Sequence, residues 1–313
     1  MRKSLTIICP VFNEEQVIRI FYERLSLVLE SLSDAYRWNI LFVLDKSSDA
    51  SSEIIKSIIQ HDDRVGLLSM SSRFGHQMSL VAGIDHCKSD VIIMMDSDLQ
   101  HPPEIVRDLL VKYEDGFDVV HAIRMKPADK SFLKGWGSRI FYRLLNWLSE
   151  VRIDAGGADF RLISSRVADV FQNSIREQNQ FLRGLFNWVG FRQAVIEFEA
   201  QDRLHGKSKY DFSRLTRFAI SGIISFSKKP LKFAVAIGFT AALFGFLYGV
   251  FTLINYFLVS QVPSGWTALA ILISFFGGVQ LIFLGVIGEY LGAIFDEVKK
   301  RPLYLIDESI NVD

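Results

Sequence analysis

The stretch Val91–Glu104 reads VIIMMDSDLQHPPE, in which a short apolar run leads directly into two carboxylates separated by one residue. An uninterrupted apolar run of this length is typical of a strand that is buried on both faces of a sheet. The two carboxylates, Asp96 and Asp98, can place oxygens around Mg²⁺ or Mn²⁺, which commonly share their ligands with substrate phosphates. The stretch therefore predicts a buried strand that ends at a metal and phosphate site.

Similar apolar runs alternate with helical patterns over residues 4–200. The predicted strands are Leu5–Cys9, Ile40–Leu44, Val65–Met70, Val91–Met95 and Val119–Ile123. The predicted helices include Glu14–Leu32 and Met78–His86. Alternation of strands with helices predicts an α/β domain whose parallel sheet carries helices on both faces.

Polar and acidic residues follow three of these strands at the point where each strand ends. They are Pro10, Asn13 and Glu14 after the first strand, Asp45 after the second, and Asp96 and Asp98 after the fourth. In open α/β sheets, ligands bind outside the carboxyl ends of the strands. A turn or a helix cap explains any one of these acids, but their convergence from three strands favours a binding site.

Composition narrows the classes of protein to which the chain can belong. Its 35 basic and 35 acidic residues cancel, whereas a general nucleic-acid-binding protein carries a basic excess, so we expect no nucleic-acid partner. Cys9 and Cys87 lie in or beside apolar runs without metal-ligand spacing, which predicts free, buried thiols in a reducing compartment. The N-terminal MRKSLTIICP is only briefly apolar, so it predicts a first strand and not a signal peptide.

Two long apolar runs, Phe233–Ser260 and Trp266–Ile287, follow this domain. Each is longer than the roughly 20 residues with which an α-helix crosses a membrane. No charged residue lies between Phe233 and Gly288, and the link QVPSG is so short that the two helices must form a hairpin. A pair of buried core helices is the alternative, but both runs exceed the ordinary length of a core helix.

The charges around the hairpin predict its orientation. Basic residues flank its outer ends and are absent from the connecting turn; they are Lys228, Lys229 and Lys232 on one side and Lys299, Lys300 and Arg301 on the other. The positive-inside rule therefore places both chain ends in the cytoplasm. Glycines such as Gly277, Gly278 and Gly285 allow close helix packing, which leaves a homo-oligomer open.

Two segments outside the hairpin have the pattern of helices that lie in a membrane surface. Tyr210–Ser227 and Lys130–Leu148 carry apolar residues at near-helical spacing with basic residues between them. Such helices bind at the level of the lipid headgroups. Packing on the core of the protein is the alternative. The membrane is favoured for Tyr210–Ser227, which leads directly into an apolar run, and both interpretations stay open for Lys130–Leu148.

Six short segments occur in the order and spacing of a known family. They are CPVFNEE (9–15), RFGHQ (73–77), MDSDLQHPPE (95–104), DFRL (159–162), FLRG (181–184) and GKSKY (206–210). With the two apolar runs, they resemble glycosyltransferase family 2, and within it the membrane-bound polyprenyl-phosphate glycosyltransferases, such as dolichol-phosphate mannose synthase and the bactoprenol glucosyltransferases. The resemblance implies a GT-A (Rossmann-like) fold and an inverting transfer of one sugar from a nucleotide-sugar to a lipid phosphate.

The resemblance also implies roles for residues of this chain. The implied nucleotide contacts are Pro10, Phe12, Glu14, Val43, Asp45 and Asp96. The implied metal ligands for Mg²⁺ or Mn²⁺ are Asp98 and Gln100, and the catalytic candidates are Asp98, Asp159, Arg124 and Lys134. The residues expected to bind phosphate and the acceptor are Arg161, Arg203, Lys207 and Lys209, since Arg and Lys favour phosphate groups. For Arg203 and Lys209, solvated charges beside the membrane are the alternative.

Asp159 in GGADFRL is a candidate general base, but the chemistry of the implied acceptor asks little of a base. The nucleophile is a phosphate oxygen, and with a second pKa of about 6 it is mostly ionised already. Asp159 is therefore equally a candidate for orienting the acceptor or the donor sugar, or for capping the next element. Arg161 is a partner for Asp159 or for phosphate, and structural roles are favoured for His76 and His101.

The expected organisation is a cytoplasmic GT-A catalytic domain over residues 1–209, an interfacial amphipathic helix over 210–230, transmembrane helices over 231–260 and 265–292, and a cytoplasmic tail over 293–313. The expected reaction is metal-dependent transfer of a sugar from UDP-glucose or another UDP-hexose to undecaprenyl phosphate. It takes place at the cytoplasmic face of a bacterial inner membrane, with the lipid bilayer as a partner. The product is a lipid-linked sugar for modifying a cell-surface glycan.

Three alternatives remain beside this reaction. A processive polysaccharide synthase is disfavoured, because Gly184 stands where a Q-x-x-R-W motif has Trp and two helices cannot enclose a tunnel. A transferase that uses GDP-mannose and a non-catalytic membrane scaffold stay open. The family usually reads Asp-Asp-Gly-Ser where this chain has Leu44–Ser47, so Lys46 changes the rim of the nucleotide site and leaves the identity of the sugar open.

Overall fold

The computed structural model describes residues 2–125, 157–199, 227–259 and 265–312. Among the expected features that lie outside these residues are the interfacial segment Lys130–Leu148 and, apart from Ser227, the interfacial segment Tyr210–Ser227. The described strands are β1 (Lys3–Val11), β2 (Tyr36–Leu44), β3 (Val65–Met70), β4 (Val91–Met94), β5 (Val119–Arg124), β6 (Gly157–Ser164), β7 (Gln193–Phe198) and β8 (Ile306–Ile310). The described helices are α1 (Ile18–Glu30), α2 (Ser51–Ile59), α3 (His76–Asp85), α4 (Ile105–Glu114), α5 (Ser165–Asn173), α6 (Leu182–Trp188), α7 (Lys229–Val259) and α8 (Trp266–Lys299).

The strands form one eight-stranded sheet in the order β7-β5-β6-β4-β1-β2-β3-β8. The pairs β1–β2, β1–β4, β2–β3 and β5–β7 are parallel. All five strands expected from the sequence are present. The expectation of a purely parallel sheet was wrong, because β6 runs antiparallel to β4 and β5, and β8 runs antiparallel to β3.

The unbroken apolar runs are buried on both faces of the sheet, as the sequence predicts. In β4, Ile93 packs into the core on one face, while Ile92 and Met94 pack into the core on the other. The first core is covered by α1, α2 and α4, and the second by α3, α5 and α6. Helices therefore cover both faces, and the carboxyl end of β4 opens at one edge between the two layers.

Helices α7 and α8 are long and apolar enough to cross a membrane over Lys229–Thr252 and Phe275–Lys299, and none of either stretch is buried inside the protein. These helices fit a membrane-associated protein. Helix α8 continues past the expected end at residue 292, and Lys300 stops it with a left-handed backbone (φ 47°). Residues of the expected tail then return to the sheet as β8, which the sequence did not predict.

Helix α3 lies so close to β1 that only glycine fits at position 83. A Cβ atom added to Gly83 would overlap the Cγ2 atom of Ile8. Because packed cores resist extra atoms, we expect Gly83→Ala to lower the free energy of unfolding by about 1–3 kcal/mol, although alanine is the better helix former. Thermal unfolding in detergent measures the change.

The matched control for this prediction is the same substitution in an Ile8→Ala background, where the methyl group that it meets is gone. The cost of Gly83→Ala should then shrink, because two residues in contact are energetically coupled. An equal cost in both backgrounds would show that the contact between α3 and β1 is not the cause.

Candidate active site

The structure brings the polar ends of β1, β2 and β4 together at one edge of the sheet. Strand β1 lies between the other two, with Pro10 opposite Val43 and Ile8 opposite Met94. On the far side of β4, Arg161 of β6 stands opposite Met94. Residues far apart in sequence, from the first, second, fourth and sixth strands, therefore share this edge.

The loop after β1 is fixed by side chains of the loop after β2. Asn13 has a left-handed backbone (φ 55°), and its Oδ1 accepts the N–H of Ser48 at 2.9 Å. In return, Ser47 Oγ accepts the N–H of Asn13 at 3.1 Å, and Ser51 Oγ accepts that of Glu14 at 3.0 Å. The polar run after β2 thus sets the position of the loop that carries the expected nucleotide contacts.

The buried carboxylate of Asp45 connects the end of β2 to the start of α3 by hydrogen bonds. Its Oδ1 accepts the N–H groups of Phe74 at 2.9 Å and Lys46 at 3.1 Å, and its Oδ2 accepts that of Gly75 at 3.0 Å. The residue is only 3% exposed. Gly75 has a φ of 92°, which glycine adopts without strain. This bonding holds the RFGHQ segment beside β2, and a contact between Asp45 and a nucleotide stays a prediction.

Phe12 and Arg73 form the rim of the same edge. The Arg73 guanidinium carbon lies 4.1 Å from the centroid of the Phe12 ring. Phe12 is half-buried and Arg73 is exposed, so a cation sits against an aromatic ring at the position expected to border a nucleotide. Arg73 is the first residue of the RFGHQ motif, but no pattern in the sequence predicts its contact with Phe12.

The turn after β4 is closed by its own residues. His101 Nδ1 accepts the N–H of Asp96 at 3.0 Å, and the His101 ring stacks on Phe160 with centroids 4.9 Å apart. Ser97 Oγ donates to the carbonyl of Pro10 at 3.0 Å. Buried Leu99 holds a left-handed backbone (φ 62°), which is rare for a side chain of this kind. His101 therefore has the structural role favoured from the sequence.

The residues of this turn fit a divalent cation that shares its ligands with a diphosphate. Asp96, Asp98 and Gln100 are half-buried and supply carboxylate and amide oxygens, the donors that Mg²⁺ and Mn²⁺ prefer. Within the described residues, no group of three or more His, Cys, Asp or Glu side chains could hold a metal by itself. The donor set therefore suits a metal completed by substrate oxygens, and not an all-protein cage.

Asp159 of β6 lies at the centre of a cluster of cations. Its Oδ1 accepts Arg183 Nε at 3.0 Å and Arg161 Nη2 at 3.2 Å, and its Oδ2 lies 3.2 Å from His76 Nε2. The same His76 nitrogen lies 3.5 Å from Asp96 Oδ1. The cluster therefore joins α3, β6 and α6 to the acidic turn after β4.

The charges in the cluster stabilise one another. Burial opposes ionisation of Asp159, but the His76 hydrogen bond and the charges of Arg183, His76 and Arg161 hold the pKa of its carboxyl well below the usual range. Burial also opposes the charge of His76, yet the Asp96 charge and the Asp159 hydrogen bond raise its pKa to about 9. At neutral pH Asp159 is an anion fully engaged by cations, which makes it a poor proton acceptor.

Arg161 is the buried member of this cluster. It is 3% exposed, its guanidinium carbon lies 4.5 Å from the Phe186 ring centroid, and burial lowers its pKa to about 10. Of the two partners expected for Arg161, the structure shows Asp159, and binding of phosphate by this buried side chain stays a prediction. The cations of the cluster with exposed surface are His76 (40%) and Arg183 (34%). Both lie in recognised motifs, RFGHQ and FLRG, but no pattern in the sequence assigned either of them to phosphate.

The remaining cations expected at the site lie at its margin or outside the described residues. Arg124 ends β5 with an exposed side chain, separated from β4 by β6. The other candidates, Lys134, Arg203, Lys207 and Lys209, fall outside the described residues.

An α/β sheet with an acidic pair after a central strand, followed by two apolar helices, fits a membrane-associated glycosyltransferase of the GT-A type. The sequence pattern of glycosyl transferase family 2 matches residues 6–195, and the chain belongs to this family. The resemblance recognised in the sequence is confirmed.

Two kinds of relative resemble nearly the whole chain. An uncharacterised glycosyltransferase, YkcC, of Bacillus subtilis is 38% identical over 98% of this chain and 94% of its own length. A prophage-derived bactoprenol glucosyl transferase of Shigella flexneri is 37% identical over 98% of both chains. The similarity to these proteins includes the two apolar helices.

Among solved structures, the fold resembles that of the mannosyltransferase PcManGT from Pyrobaculum calidifontis, which was solved with GDP-Man and Mn²⁺. The TM-score is 0.51, with 14% identity over 96% of this chain and 89% of that one. At this identity the likeness supports the GT-A fold.

The cluster around Asp159 generates a prediction about stability. Asp159→Ala leaves Arg161 buried without its carboxylate, so we expect the free energy of unfolding at pH 7 to fall by about 3–5 kcal/mol. The loss should shrink as the pH falls below about 4, because the low pKa of Asp159 stabilises the fold only while the group is ionised. Thermal unfolding followed from pH 7 down to about pH 3, a range that includes the pKa of a free carboxyl, measures both effects.

Glu308→Ala is the matched control, because Glu308 pairs with Lys56 at the surface, where the two side chains are 43% and 40% exposed. An exposed pair contributes about 0–1 kcal/mol. If Asp159→Ala were as mild as Glu308→Ala, Asp159 would not be the centre of the cluster.

Proposed function

We propose that this protein transfers one sugar from a nucleotide-sugar, UDP-glucose or another UDP-hexose, to a polyprenyl phosphate at the cytoplasmic face of a membrane. The observation that carries the proposal is the acidic turn after β4, which lies beside the β1 and β2 loops and next to the cations around Asp159. Similarity to bactoprenol glucosyl transferases over 98% of the chain supports this acceptor class.

The donor would lie across the carboxyl ends of β1, β2 and β4. Its nucleotide would rest against Phe12 and the loop after β2, and its diphosphate would reach Asp98 and Gln100. A divalent cation, when bound there, neutralises the charge of the departing diphosphate. Mn²⁺ in the structure of the mannosyltransferase PcManGT supports this class of metal, with Mg²⁺ as the other candidate.

The acceptor would meet the exposed parts of His76 and Arg183. Both have exposed side chains that can donate hydrogen bonds, and an ionised phosphate oxygen needs no general base. Cations that donate hydrogen bonds attract a phosphate and can aim it. Asp159 then acts by orienting these two side chains, and attack from the side opposite the diphosphate inverts the configuration of the sugar.

The two apolar helices suit an acceptor with a lipid tail. The phosphate of a polyprenyl phosphate lies at the headgroup level while its chain stays in the bilayer, so the enzyme must be held at the surface. Basic residues at the outer ends of the hairpin favour a cytoplasmic location for both chain ends. The lipid-linked product would serve the modification of a cell-surface glycan.

The reaction is tested with the full-length protein in lipid nanodiscs, labelled UDP-glucose, Mg²⁺ or Mn²⁺, and undecaprenyl phosphate. We expect label in the lipid phase, and we expect chelation of the metal to abolish it. Asp98→Asn should lower kcat/KM by about 100-fold or more, because stabilising the departing diphosphate contributes several kcal/mol.

Asp108→Asn is the matched control, since it makes the same change at an exposed position of α4 outside the site. Screening GDP-mannose and other UDP-sugars in parallel identifies the donor. If no donor labels the lipid and Asp98→Asn keeps the cellular role, the protein is a scaffold and the proposal fails.

Lys46 generates a second prediction about the donor. Its side chain is exposed at the rim of the edge, next to the buried Asp45. If it attracts the donor's phosphates, Lys46→Gly should raise the donor KM by about 3–10-fold, as expected for a contribution near 1 kcal/mol from an exposed charge. Lys46→Arg keeps the charge and should keep the KM. Unchanged donor kinetics in Lys46→Gly would remove this role.

A further inference from the structure

The last turn of α8 and the residues that follow it contact both elements that hold the cations of the Asp159 cluster. We call these residues, Glu297–Tyr304, the post-span segment; Glu297 belongs to the last turn of α8. Its first contact is with the loop before α6, where Glu297 Oε1 accepts the N–H of Gln178 at 2.7 Å. The Gln178 side chain in turn donates to the carbonyl of Arg301 at 2.6 Å. This loop leads directly into α6, which carries Arg183.

The second contact is with the far end of α3. Tyr304 Oη donates to Asp85 Oδ2 at 2.7 Å. Arg176 Nη1 also donates to both carboxylate oxygens of Asp85, at 2.7 and 2.8 Å. Because Asp85 ends the helix that His76 begins, Tyr304 holds α3 at one end while the Asp159 cluster holds it at the other.

The two elements also meet directly at the cluster. Gln77 Oε1 accepts the N–H of Leu182 at 3.2 Å, and Gln77 Nε2 donates to Asp159 Oδ2 at 3.4 Å. The contacts therefore link the post-span segment to Asp159 by two routes, one through α3 and the other through α6. A shift of the post-span segment would move both helices at the cluster.

The contact that Glu297 makes lies at the surface, where polar contacts contribute little to stability. The contact between Tyr304 and Asp85 is partly buried, and the Asp85 side chain is 13% exposed. Leu303, which is 8% exposed and lies in the core below α3, anchors the segment by apolar burial. The hydrogen bond of Glu297 is thus better suited to fixing geometry than to holding the fold together.

We propose that Glu297 and Tyr304 are positioning residues for the transfer reaction. They set the distance between α3 and α6, and so aim His76 and Arg183 at the acceptor phosphate. This inference rests on the proposed function, because it assigns the phosphate to these two cations. Glu297 and Tyr304 would thus connect the end of the second apolar helix to the part of the site that receives the lipid substrate.

The test compares Glu297→Ala/Tyr304→Phe with the wild-type protein in nanodiscs. We expect the KM for undecaprenyl phosphate to rise about tenfold, because small displacements of positioning groups are costly, while the KM for the donor stays unchanged. Glu297→Gln keeps an acceptor oxygen for Gln178 and should restore the wild-type KM at that position. Glu308→Gln in β8, elsewhere in the same tail, is the control and should change neither KM.

A coupling measurement separates positioning from a merely structural role. In an Arg183→Ala background, Glu297→Ala should lose most of its effect on the acceptor KM, since Glu297 acts through α6 and Arg183. Additive effects, an equal rise in the donor KM, or an equal effect of Glu308→Gln would each overturn the inference.

Hydrogen exchange distinguishes failure of this inference from failure of the proposed function. If the wild-type protein labels no lipid, the proposed function fails, and exchange in residues 178–186 still reports the linkage. Glu297→Ala should speed exchange there several-fold and Glu308→Gln should not, because losing the hydrogen bond to Gln178 raises the population of open states. Unchanged exchange in Glu297→Ala would show that the post-span segment does not hold this region.

Discussion

The buried charge of Asp159 is the constraint on which the site edge depends. Removing a carboxylate from water costs several kcal/mol, and only close cations and hydrogen bonds offset that cost. Arg161 and Arg183 meet one of its oxygens, and His76 and Gln77 meet the other. Because these partners come from β6, α6 and α3, satisfying one charge fixes three elements relative to one another. The acidic turn after β4 joins them through the contact between His76 and Asp96.

Asp45 solves a similar problem with the backbone instead of cations. Its two oxygens accept three N–H groups, two of which belong to the turn that starts α3. Helix α3 is therefore positioned at its start by two acids, Asp45 directly after β2 and Asp159 in β6. The D-x-D pair differs from both, because Asp96 and Asp98 are half-buried at the edge and can share a cation with a diphosphate. Two of the four acids thus build the site, and the other two suit its chemistry.

The sequence predicted the central part of the fold because continuous apolar runs mark strands that are buried on both faces. It missed β6, since buried Asp159 and Arg161 interrupt the apolar pattern there, and it missed β8, whose IDESI alternates as an edge strand does. In the site, too, local patterns predicted some features and missed others. The positions of acids at strand ends were predictable, whereas the burial of Arg161 was not. Its burial depends on partners from helices whose positions no local pattern encodes.

The two apolar helices are joined to the α/β domain by the chain before α7 and again after α8. After α8, β8 extends the sheet alongside β3. A domain tethered by a single chain would sample many orientations, and binding of a lipid substrate would then carry the entropic cost of ordering the domain. A second attachment lowers that cost before the acceptor binds. A sheet that takes its last strand from beyond two long apolar helices therefore suits the proposed transfer from a nucleotide-sugar to a lipid phosphate.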